Sequence, residues 1–117
     1  MIEGTIKNDG VPAIDVEVGG FTWPATIDTG FNGALELPER LRSHVHAQFI
    51  GRVTSLLAAN RRVEEDVFLV DFPFDGQIIR VQATFVDGEE ILIGTRMLLD
   101  YRLEIDFPAR TVVLAKP

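Results

Sequence analysis

Asp28, Thr29 and Gly30 are the residues of this chain whose types and order could do chemistry. They sit in the run Ala25-Thr26-Ile27-Asp28-Thr29-Gly30-Phe31-Asn32-Gly33. An apolar strand leads into an acid, a hydroxyl and a glycine, and the chain must then turn sharply. A strand end holds a carboxylate more rigidly than a loop does. Two carboxylates a few ångströms apart cannot both ionise, so one pKa falls, the other rises, and the pair shares a proton. The ionised member can take a proton from water while the protonated one polarises a carbonyl, which permits peptide hydrolysis without a metal or covalent nucleophile. The tripeptide occurs once in the chain, so a second such acid has to come from another copy. Thr29 is expected to bond backbone near the acid, and Gly30 to let the chain bend close to a substrate. Asn32 and Gly33 repeat that role one step later. The plainer alternative for Asp28 is a turn acid that caps nearby amides.

The elements that must position this acid read mostly as strands. Ala13 to Val18 alternates apolar and polar residues, as a half-exposed strand does. Gly19-Gly20 is a hairpin turn. Phe21-Thr22-Trp23 resumes, Pro24 interrupts, and Ala25-Thr26-Ile27 delivers Asp28. Pro38 to Arg42 predicts a short helical turn with proline at its start. Val53 to Leu57 and Val63 to Val70 form the arms of a hairpin with its tip at Ala58-Ala59-Asn60-Arg61, where Asn60 tolerates positive φ. Asp75-Gly76 is a two-residue hairpin signal, and further turns fall at Asn8-Asp9-Gly10, Asp87-Gly88 and Pro108-Ala109-Arg110. Ile91-Leu92-Ile93 reads as a strand buried on both faces and ends at Gly94. Thr95 to Asp100 has helical composition, with Thr95 able to cap it. Two short strands, Tyr101 to Phe107 and Thr111 to Leu114, close the chain. Many short strands at close spacing predict a closed or sandwiched all-β architecture.

The 117 residues point to one domain spanning 1–117. With 46% apolar residues the chain can bury a core without staples. It has no cysteine, which excludes disulfides and thiolate zinc sites and is compatible with a reducing cytosol. A signal peptide and a membrane span are not expected, because no apolar stretch has the needed length or flanks; a cytoplasmic location is the expectation. The net charge of −7 disfavours nucleic-acid binding. His44 and His46 could share a strand face and bind a metal, but a surface pair is the expectation. Phe21 and Trp23 are expected in the core, as are Phe68, Phe72 and Phe74, whose even spacing puts them on one strand face. Phe31 fits either core or a substrate cleft.

Three segments together resemble the retropepsin-like aspartic proteases, the single-domain family that includes retroviral proteases and bacterial and archaeal relatives. They are Asp28-Thr29-Gly30 after apolar residues, the hairpin around Ala58-Ala59-Asn60-Arg61 where that family has its flap, and Leu92-Ile93-Gly94 followed by Arg96-Met97-Leu98-Leu99. The correspondence runs from about Ala13 to Phe107. The resemblance implies an all-β closed barrel with one short C-terminal helix, and a homodimer in which each copy gives one Asp28 and the two Thr29 hydroxyls bond across the interface. It further implies endopeptidase activity with no cofactor, on a peptide or protein substrate bound as an extended strand. Asp28, Thr29 and Gly30 are then catalytic. Phe31, Asn32, Gly33, Leu57, Ala58, Ala59, Asn60 and Ile93 then bind substrate, with residues 57–62 covering it. Three features depart from the family pattern: the tip lacks a glycine-rich run, Phe31 stands where a small residue is usual, and Thr95 precedes Arg96 where arginine comes first. A dimerisation or peptide-binding module that keeps the fold without catalysis is the competing expectation.

Overall fold

The computed structural model describes residues 1–56 and 58–117. Strands dominate: β1 Ile2–Ile6, β2 Pro12–Val18, β3 Phe21–Ile27, β4 Leu35–Pro38, β5 Ala47–Leu56, β6 Arg62–Phe74, β7 Gln77–Val86, β8 Ile91–Ile93, β9 Arg102–Asp106 and β10 Thr111–Ala115. They form one sheet in the order β5-β6-β7-β4-β8-β3-β2-β1-β10-β9. The all-β expectation holds. The sheet is not closed into a barrel, however: β5 pairs only with β6 and β9 only with β10, which leaves an open edge at each end. Instead the sheet folds over itself, with β2 packed against β6 across the core.

That core draws on both halves. Ile14, Val112 and Leu114 come from one side, Leu35, Leu37, Val70 and Phe72 from the other, and all are essentially inaccessible. Truncating one buried phenylalanine to alanine costs roughly 3–5 kcal/mol, so Phe72 alone carries a large share of a small domain's stability. Phe68, Phe72 and Phe74 share the inner face, as their even spacing requires. Phe21 is a correction. It stands beside the Gly19-Gly20 turn and is 64% exposed, with its ring edge-on to that of His44. Trp23 is partly buried, covered by the Arg40 guanidinium 4.6 Å from its ring.

The turns follow local chemistry. Gly19 and Gly20 (φ 61° and 82°) and Asp75 and Gly76 (φ 54° and 73°) have the paired positive φ of tight hairpins. Pro24 does not interrupt β3. Its strand pairs with β2 there, but β8 joins the other side only from Ala25 onward, so the missing N–H falls at the margin of the central pairing. The helix expected over Thr95 to Asp100 is a single 3-10 turn at Thr95–Met97. Tyr101 N–H bonds back to the Leu98 carbonyl, so the chain turns where a helix would continue. A second 3-10 segment, Glu39–His44, occupies the predicted helical turn after Pro38. β4 has no counterpart among the elements expected from sequence. Among the described residues no helix is long and apolar enough to cross a membrane.

Candidate active site

Asp28 stands immediately after β3, at the middle of the sheet. β3 runs parallel to β8, which runs antiparallel to β4. The loop 28–34 leaves β3 and returns as β4 on the far side of β8. Four backbone hydrogen bonds tie it to the end of β8 and the residues that follow: Asp28 N–H to the Ile93 carbonyl (2.9 Å), Gly94 N–H to Ala34 (2.9 Å), Thr95 N–H to Phe31 (2.8 Å) and Arg96 N–H to Gly33 (3.2 Å). The loop is therefore held by main chain, which side-chain motion does not loosen.

Within the loop the Gly30 N–H donates to Asp28 Oδ1 at 2.9 Å, while the Phe31 N–H donates to the Asp28 carbonyl. The first bond fixes the carboxylate's orientation, and the second closes the turn. Gly30 is not needed for a positive φ; a Cβ there would lie 3.2 Å from Asp28 Oδ1, so glycine serves the close approach. Asp28 is half-buried, and Thr29, Gly30 and Asn32 are exposed beside it. The Thr29 hydroxyl makes no hydrogen bond among the described residues, so it does not brace the turn from within the chain.

Phe31 is half-buried and lies across two glycines. A Cβ at Gly33 would meet its ring at 2.7 Å, and one at Gly94 would meet it at 2.7 Å and the Gly33 carbonyl at 2.2 Å. Two missing side chains thus make room for a large residue directly after Asp28-Thr29-Gly30. Ile93 places its side chain in the core, fully buried, and reaches Asp28 through its carbonyl alone.

The β5–β6 hairpin stands over this loop. Its arms supply Val53 and Glu65 to a groove of about 210 Å³ that Phe31 and Gly33 also line. At the tip, Ala59 and Asn60 are exposed and both at positive φ (61° and 58°), so the chain turns there through the left-handed region. The structure thus brings the hairpin arms to the loop. Among the described residues no hydrogen bond links Ala59 or Asn60 to Asp28, and Leu57 lies outside the described residues. His44 and His46 are both exposed, and no cluster of metal-binding side chains forms among the described residues.

Glu36 is a groove residue that the sequence reading missed. It lies between Leu35 and Leu37, whose side chains enter the core, so strand alternation turns Glu36 to the opposite face. Burial pushes its carboxyl above the ordinary 4.5, and the charges of Glu65 and then Asp28 push it further. That alternation was the available signal, but four residues are too few to announce a strand.

No protein-family model matches the chain, and no curated sequence matches it. Its fold does match solved structures. The structure of a retropepsin-like aspartic protease from Rickettsia conorii superposes with a TM-score of 0.68 at 16% identity, over 97% of this chain and 88% of that one. The foamy viral protease-reverse transcriptase, solved in complex with an RNA/DNA hybrid, superposes with a TM-score of 0.62 at 18% identity, over 82% of this chain. The foamy viral protease-reverse transcriptase dRH, solved in complex with ds DNA, superposes with a TM-score of 0.61 at 17% identity, over 79% of this chain. The aligned region is 13% and 15% of those viral chains. The three neighbours share one architecture with this chain, and its fold is retropepsin-like.

Proposed function

We propose that the protein is a homodimeric aspartic endopeptidase in which two Asp28 carboxylates, one from each copy, activate a water. The ionised carboxylate takes a proton from the water as its oxygen attacks the scissile carbonyl. The protonated carboxylate donates a hydrogen bond to that carbonyl, and as the C–N bond breaks the first carboxylate passes the proton it took from water to the leaving nitrogen. The substrate lies extended under the β5–β6 hairpin. The observation that carries this reading is the Asp28 loop: a half-buried carboxylate clamped by the Gly30 N–H, beside an exposed Thr29, in a retropepsin-like fold. The exposed Thr29 hydroxyl is free to bond its counterpart across a two-fold axis.

The test is Asp28→Asn with a peptide-library cleavage assay and a solution mass. Cleavage falls by roughly 10³-fold or more, as for loss of a general acid–base pair, while the dimer mass and the melting temperature hold. A monomeric parent sinks the reading. A dimer that cleaves nothing between about pH 3 and 8, where a carboxylate pair titrates, turns it toward a peptide-binding module.

A further inference from the structure

The groove between the Asp28 loop and the β5–β6 hairpin has apolar walls and a one-sided charge. Phe31, Val53, Val67 and Ala83 line it, and so do two carboxylates, Glu36 and Glu65. About 210 Å³ is less than the roughly 300 Å³ or more of a drug-sized pocket, but it holds one long amino-acid side chain.

Neighbouring acids are already paired. Glu64 and Asp66, on either side of Glu65 in β6, both face Arg52 at 3.6 and 2.8 Å, and Glu39 faces Arg42 at 2.7 Å. Glu36 and Glu65 have no cationic partner among the described residues, and no lysine or arginine lines the groove. Alternation in β6 explains the split: Glu64 and Asp66 are exposed, whereas Glu65 is half-buried and lines the groove. A half-buried carboxylate without a partner is costly, and a ligand cation relieves that cost.

We propose that Glu36, assisted by Glu65, makes this groove select a lysine or arginine side chain of an extended peptide. The methylene stem lies along Phe31, Val53 and Val67, and the charged head meets the two carboxylates. Arginine can bond a carboxylate through two N–H groups, and lysine as a point charge. The inference rests on the proposed peptide site but not on cleavage. The raised Glu36 carboxyl agrees with it: an incoming cation favours the ionised form, so binding of basic peptides strengthens as pH rises through the Glu36 titration.

Two parallel selections test it. Random octapeptides that include norleucine are offered to the parent protein for cleavage and to Asp28→Asn for binding. Lysine and arginine are enriched over norleucine at one position in both pools, by roughly tenfold. Glu36→Gln cuts that enrichment to under about threefold, and Glu65→Gln lowers it less. Glu36→Gln keeps its fold above pH 4.5. A folded-state carboxyl raised above its unfolded value contributes stability that is present below that value and lost as pH rises, so glutamine removes a penalty there. Cleavage without basic enrichment overturns this inference and leaves the endopeptidase standing. Basic enrichment in the bound pool without cleavage by the parent does the reverse. Absence of enrichment from both pools overturns the inference.

Discussion

The Asp28 loop and the β5–β6 hairpin face each other across one groove, yet they are held in different ways. The loop lies at the centre of the sheet, flanked by Ile91, Ile93, Leu35 and Leu37, all fully buried, and main-chain bonds lock it to residues 93–96. The hairpin ends in the sheet's open edge. β5 has one partner strand, a register shift between Phe49 and Gly51, and exposed apolar side chains at Phe49, Val53 and Leu56. Its cross-strand ion pairs lie in solvent. The contrast teaches a division of labour. Buried backbone bonds hold the loop from both sides, whereas the edge strand is held by one backbone ladder and by ion pairs that lie in solvent. Substitutions should therefore be costly in the loop and cheap in the hairpin.

The largest effect is expected at Gly94. A methyl there collides with the Gly33 carbonyl at 2.2 Å and the Phe31 ring at 2.7 Å, and the carbonyl cannot step aside without breaking its bond to the Arg96 N–H. Gly94→Ala should cost about 2–3 kcal/mol in urea unfolding, as overpacking does, and should abolish any cleavage activity. A loss below about 0.5 kcal/mol, the size of an ordinary surface change, would mean the loop yields like the hairpin.

Gly94 also shows what could be read from sequence. The small-residue run 28–33 and the apolar run ending at Gly94 declare themselves locally, and so do the Gly19-Gly20 and Asp75-Gly76 turns. Each depends on residues adjacent in the chain. β4 does not: Leu35–Pro38 is a strand because it lies between β7 and β8, both far along the chain, and its own four residues say little. Glu36 was hidden with it, and so was half the charge of the groove. Closure was misjudged for the same reason, since whether β5 and β9 meet depends on the curvature of the whole sheet. The run Met97-Leu98-Leu99 has helical composition, but only Met97 is buried and Leu98 half-buried, while Leu99 is 78% exposed and the Tyr101 N–H turns back to the Leu98 carbonyl, so the segment stops after one turn. Phe21 has a core residue's type but follows directly on the Gly19-Gly20 turn, and that position leaves it exposed.

The next effect is a gain in the hairpin. Ala59 holds φ 61° at the tip, a conformation that strains a residue with a Cβ. Ala59→Gly relieves that strain but adds freedom to the unfolded chain, so the net gain should be about 0.5–1 kcal/mol. Calorimetry decides it. An unchanged or lower melting temperature would show that the tip tolerates this geometry without cost and that the hairpin is more firmly set than its edge position implies.

The smallest effect sharpens the comparison most. Arg52 spans β5 and β6, bonding Asp66 at 2.8 Å and approaching Glu64 at 3.6 Å, with all three side chains largely exposed. Solvent-exposed pairs of this kind contribute about 0.2–1 kcal/mol. Arg52→Ala should therefore lose under about 1 kcal/mol, and the difference from the parent should shrink between low salt and about 1 M salt, where the screening length falls to roughly 3 Å. The Asp28 loop offers the control: its main-chain bonds carry no net charge, so the Gly94→Ala penalty should be nearly independent of salt. If instead Arg52→Ala costs as much as Gly94→Ala and does so at every ionic strength, the hairpin is anchored by its charges as firmly as the loop is by its backbone. The division between a fixed centre and a loose edge then fails.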